Sequence, residues 1–227
     1  LMAVSSYLDI RAIEQVPLRE RGLAANTYAA LQHCALANAE APALSFVLDA
    51  RRHQRTHDWS YAELFADITR AANAFHELGI GPGDVVAFLL PNLPETHFTI
   101  WGGEAAGIVM AINPLLEAPQ IAELLRAARA KLVVTLSPTP GSDLWEKLAS
   151  QLDSLPDVRD VVWANMAPYV PMLPALALRG MALRERLRQR RWRIHDLRAL
   201  MRRQPGNRLI SGRQIRADEP SSYFCTG

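Results

Sequence analysis

Cysteine is scarce in this sequence: only Cys34 and Cys225 occur, far apart and outside any CxxC spacing. Such a pair frames no disulfide scaffold, and the expectation is two reduced thiols in a cytoplasmic protein. Cys225 as a nucleophile would need a histidine and an acid beside it, and the sequence argues for no such pairing. Long apolar runs are also missing. None approaches the roughly 20 residues needed to span a bilayer. The opening LMAVSSYLDIRAIEQ has no basic stretch followed by an apolar one, so no secretory leader is expected. Metal-ligand patterns are absent too. His53 and His57 are four apart, a spacing that suits a metal only on a helix, and both fall in a polar turn and strand. No metal site and no catalytic side chain is assigned.

What is present is ordinary for a globular protein: 227 residues, 49% hydrophobic and 21% charged. That length can bury a sizeable core, as one large domain or one domain with appendages. The net charge of +2 hides an asymmetry. Arg179 to Arg203 holds ten arginines against Glu185 and Asp196, so the remainder of the chain is mildly acidic. No recognised nucleic-acid module accompanies these arginines, and no nucleic-acid partner is expected.

The chain is organised around Trp59 to Thr135. Leu64, Ile68, Ala71, Ala72, Phe75 and Leu78 recur at helical spacing. Val85–Leu90, Ile108–Ile112 and Leu132–Thr135 are short unbroken apolar runs, the pattern of strands buried on both faces. An α/β fold follows: a mainly parallel sheet with helices on both faces and right-handed crossovers. Ser60 and Glu63 fit a capping box, Gly79 a helix stop, Thr27 and Asn92 helix caps. Gly79-Ile80-Gly81-Pro82-Gly83 lies between a helix and the next strand. A phosphate-cradling loop needs the reverse order, so this run reads as a turn.

Four stretches are expected. Residues 1–42 form an extended lead and a helix, and 43–165 the α/β unit, beginning with a hairpin of Ala43–Leu48 and Thr56–Ser60. Residues 166–216 form an insert that is Pro-containing, then Arg-rich and helical, and 217–227 a strand and the start of a loop. Trp101, Trp145 and Trp163 are expected in the core. The basic segment reads as one amphipathic helix or two, with two outcomes. It packs its apolar stripe on the body, burying Leu187 and Leu197 and exposing Arg188 and Arg191, or it lies on an anionic membrane surface.

The succession WSYAEL, LGIGPGDVVAFLLPNLPE, AGIVMAINPLL and AKLVVT resembles the N-terminal part of the adenylate-forming superfamily, most closely the acyl-CoA synthetases. The resemblance covers about Leu44 to Val162 and resumes from Asp218 to Gly227. It implies a parent enzyme that activates a carboxylic acid, such as a fatty acid, as an acyl-adenylate and transfers it to coenzyme A. ATP, magnesium and coenzyme A would be its cofactors; the alternatives within the superfamily are an aryl-acid ligase and a peptide-synthetase adenylation domain, where a carrier-protein thiol would be the acceptor. A non-catalytic scaffold or membrane-surface role stands as a further alternative. Thr226 and Gly227 map onto the start of the Gly/Ser/Thr-rich loop that wraps ATP phosphates. On that mapping the chain alone is expected to be inactive, and self-association through exposed apolar surface is possible.

Overall fold

The computed structural model describes residues 4–17, 20–189 and 191–225. Its first helix, α1 (Tyr7–Glu14), stands where an extended lead was expected. Ser6 and Asp9 close a capping box on it, yet it buries no residue. Helix α2 (Thr27–Ala37) follows, capped by Asn26 rather than Thr27 because the Asn26 side chain reaches the Ala29 amide at 2.8 Å. Strands β1 (Pro42–Phe46) and β2 (His57–Ser60) pair antiparallel as the expected hairpin. Ser60 and Glu63 form the expected capping box of α3 (Tyr61–Glu77). Gly79, at φ +87°, ends the turn after it, a conformation that glycine adopts without steric cost.

The central unit then runs β3 (Val85–Leu89), α4 (Pro94–Ala106), β4 (Ile108–Ala111), α5 (Ala118–Ala127), β5 (Leu132–Leu136), α6 (Leu144–Ala149) and β6 (Asp160–Ala164). Leu93, not Asn92, occupies the cap of α4, with Pro94 at the first helical position, where its missing N–H costs nothing. Gly107 is demanded by crowding between α4 and β4, since a Cβ there would lie 2.4 Å from the Asp84 carbonyl oxygen.

The arginine-rich region departs from the helical insert. After a short 3-10 turn, α7 (Met172–Arg188) is followed by a strand, β7 (Arg193–Asp196), and a short helix, α8 (Leu197–Met201). β7 pairs parallel with β6, so Ile194 faces the core instead of continuing a helix. Leu197 is fully buried and Arg188 and Arg191 are exposed, as the packing outcome requires. Leu187 is the exception: it is 55% exposed. Finally β8 (Ser222–Tyr223) pairs parallel with β4.

The result is a six-stranded parallel sheet in the order β7-β6-β5-β3-β4-β8. Helices α3, α4 and α8 pack together on one face, and α5 and α6 pack on the other. That division follows from the order of construction. The chain adds β4 on one side of β3, then returns across β3 to add β5, β6 and β7 on the other. With right-handed crossovers, this reversal sends the connecting helices to opposite faces. Phe75, Phe98, Ile68, Leu89, Ile121 and Leu125 are among the largest fully buried side chains. Each such burial stabilises the fold by about 2 kcal/mol before the ordering cost.

Candidate functional site

In an open parallel sheet, ligands bind beyond the carboxyl ends of the strands, at the point where successive connections leave for opposite faces. Here that point is the carboxyl end of β3, flanked by β5 and β4. The strand ends that frame it are Leu90-Pro91-Asn92 after β3, Ile112-Asn113-Pro114 after β4 and Ser137-Pro138-Thr139 after β5. β8 is parallel to β4, and Phe224 and Cys225, which follow it, are exposed; Cys225 lines a hollow with Gly83, Asp84 and Lys131 near the amino ends of β3 and β5. Thr226 and Gly227, the two residues expected to begin a phosphate loop, lie outside the described residues.

Two sets of polar side chains stand at this edge. The first is fully partnered. Glu95, in the first turn of α4, is completely buried. Its carboxylate accepts from Arg198 Nε at 2.6 Å and from the Tyr169 hydroxyl at 2.9 Å to each oxygen. Arg198 Nη2 also donates to the Tyr169 oxygen at 2.5 Å. Burial first, then the neighbouring Glu95 carboxylate, pushes the Tyr169 phenol far above its ordinary range, so it stays protonated. Burial works against the charge on Arg198, but Glu95 and Tyr169 outweigh it and raise that group. The Tyr169 ring packs edge-on against Phe46 at 4.8 Å and His57 at 5.1 Å. The triad therefore ties together the hairpin, the start of α4, the turn after β6 and α8. A carboxylate already saturated by two donors is a poor general base, and this set is a clasp.

The second set is unpartnered. Thr135 Oγ1, Ser137 Oγ and Trp163 Nε1 are buried without hydrogen-bond partners. Thr135 and Trp163 are register partners on β5 and β6, and Trp163 lies edge-on to Trp145 of α6 at 4.9 Å. These groups are neutral donors and acceptors and supply no acid or base near neutral pH.

Trp145 and Trp163 are core residues, as read, while Trp101 is half-buried and stacks near His97 at 5.4 Å. His53 and His57 are exposed. Among the described residues no group of three or more His, Cys, Asp or Glu side chains could hold a metal ion, and no helix is long and apolar enough to cross a membrane. Sequence reading passed over Glu95, Tyr169 and Arg198, because Glu95 lies 74 positions from Tyr169 and 103 from Arg198. Only an acidic residue just after Leu93-Pro94 hinted at a special position.

Comparison with protein families matches residues 31–186 to the AMP-binding enzymes. The chain belongs to that family. As an AMP-binding family member it is 31% identical over 224 residues to marinolic acid–CoA ligase of Pseudoalteromonas sp. strain SANK 73390, covering 99% of this chain and 31% of that ligase. It is 42% identical over 81 residues to crotonobetaine/carnitine–CoA ligase of Salmonella arizonae, covering 35% of this chain and 16% of the relative. Among solved structures, coronafacic acid ligase from Pectobacterium brasiliense superposes with a TM-score of 0.65 at 15% identity, over 88% of this chain and 33% of that one. That likeness concerns the fold. The chain spans less than a third of the length of the curated relatives named here.

Proposed function

We propose that this chain is the N-terminal part of an ATP-dependent acid–CoA ligase, and that it supplies the first α/β layer against which the nucleotide site is built. The family match over residues 31–186 supports this reading most directly. The parallel pairing of β8 with β4 agrees with it, because it returns the chain to the sheet beside the strands that frame the carboxyl edge. In the proposed reaction the acid carboxylate attacks the α-phosphorus of ATP, releasing pyrophosphate, and the coenzyme A thiol then displaces AMP. Magnesium is proposed to accompany ATP, because charge on the leaving pyrophosphate must be neutralised. Thr226 and Gly227 are proposed to open the phosphate loop.

None of the chemistry is assigned to the described residues. Their part is positional: Glu95, Tyr169 and Arg198 fix the start of α4 beside the ligand edge. The 227-residue chain alone is proposed to be inactive, since preorganised donors to the developing charge usually supply the largest part of a rate enhancement and the chain spans only 31% of the marinolic acid–CoA ligase it matches. The acid is proposed to be a fatty acid, and the test is direct. A polypeptide that continues this chain is incubated with ATP, magnesium, coenzyme A and a panel of fatty, aryl and betaine-type acids, and thioester is measured. Thioester formation fastest with fatty acids is expected. Turnover confined to another class would replace the proposed acid, and no turnover with any acid would overturn the ligase reading.

A further inference from the structure

Helix α7 has two apolar faces, and only one is packed, against Ala167 and its neighbours after β6. Ala175 and Leu178 turn inward with Ala182 and Glu185, and Glu185 accepts from Trp145 Nε1 at 3.2 Å. On a turn of about 3.6 residues, Met172, Leu176, Leu183 and Leu187 fall within roughly 60° of one another on the outer face, with Leu173 at its margin. All five are open to solvent: 74%, 55%, 60%, 55% and 76% exposed in that order. The stripe runs for roughly 22 Å at about 1.5 Å per residue. Arginines line it on both sides. Arg179 and Arg186 lie along one margin, Arg184 and Arg188 along the other, all exposed.

The charges on those margins are mostly uncommitted to carboxylates. Arg179 and Arg184 have no acidic partner among the described residues. Arg188 reaches Glu185 only at 3.7 Å, and Arg186 donates to the Ile194 carbonyl, which pins it in place. Glu185 is the sole acid of the helix and it faces inward. Leucine and methionine on a convex face, with cations at the level where the face meets its margins, match the cross-section of an anionic lipid surface. Acyl chains meet the stripe while headgroup phosphates meet the arginines.

We propose that α7 docks this protein onto an anionic membrane surface through Met172, Leu176, Leu183 and Leu187, with Arg179 and Arg184 on phosphate headgroups. This rests on the geometry of α7 and is independent of the ligase reading. A second copy of the chain is a poorer occupant, because the two arginine-lined margins would meet their own charge across the interface.

Vesicle flotation tests it. The 227-residue chain floats with vesicles of phosphatidylcholine and phosphatidylglycerol, and stays at the bottom with phosphatidylcholine alone. Leu183→Gln with Leu187→Gln lowers partitioning by at least about tenfold, because affinity scales with buried apolar area. Arg179→Gln and Arg184→Gln lower it by about fivefold per arginine. Both leucines are exposed, so the variants keep the wild-type denaturation midpoint, which is measured alongside. The proposal is overturned by equal flotation with both vesicle types, by flotation that the leucine variants leave unchanged, or by no flotation. Light scattering that shows the same leucine pair holding a dimer overturns it too. So does flotation that disappears in a polypeptide continuing the chain, which would assign the stripe to an internal contact.

Discussion

Glu95 shows how much one side chain can hold. A buried carboxylate is tolerated only when its charge is matched, and here one guanidinium and one phenol match it. Glu95→Ala leaves Arg198 facing a low-dielectric pocket, and is expected to cost about 3 kcal/mol in urea denaturation. Glu95→Gln with Arg198→Met should lose less than the two single changes summed, because the pair acts as a unit. Additive losses would show that the clasp is not a coupled network. Tyr169 carries a pH signature. Its phenol is raised above the ordinary 10.0, mainly by burial and then by Glu95. A raised group contributes stability that is whole below the unfolded value and is lost as pH rises beyond it. Stability should therefore fall steeply above about pH 10, and Tyr169→Phe should flatten that limb at a neutral-pH cost of about 1 kcal/mol. An alkaline limb identical in the two proteins would contradict the assignment. None of this was legible in the sequence. Glu95 could be seen at a helix start, but not that residues 74 and 103 positions away would bury it.

Elements were legible where one periodicity acted alone. Ser60 with Glu63, the stripe of α3 and the unbroken runs of β3 and β5 gave their structures away, because local spacing and burial agree there. The close approach of α3 and α4 depends on a single glycine. A Cβ on Gly102 would lie 2.8 Å from the Ala71 Cβ and 3.0 Å from the Ile68 carbonyl oxygen. Gly102→Val should accordingly destabilise by about 2 kcal/mol through overpacking, read as a shift of the urea midpoint with unchanged slope. A midpoint within error of wild type would mean that the helices separate freely. The arginine-rich region was misread for a physical reason. Ile194 and Leu197 are spaced as on a helix, yet β6 offers an open edge, and pairing Arg193–Asp196 with it satisfies backbone groups and buries Ile194. Leu187 was assigned to the inner face by the same extended periodicity. Once the helix ends at Arg188, Leu187 falls on the outer stripe.

At the scale of the whole molecule, the reversal of strand addition at β3 matters most. It places helices on both faces and leaves the carboxyl edge of the sheet as the natural ligand side. The sequence allowed a parallel sheet to be read but not the order of its strands, because β8 joins β4 across more than a hundred residues. The clasp at Glu95, the edge at β3 and the family match over residues 31–186 support the proposed account: a layer against which a nucleotide site is built. ATP–pyrophosphate exchange tests that account most directly, run with magnesium and the acid panel on the 227-residue chain and on a polypeptide that continues it. The account predicts acid-dependent exchange by the longer polypeptide and only background exchange by the chain alone. Exchange above background by the chain alone would contradict it, and would mean that its own residues bind and cleave the nucleotide.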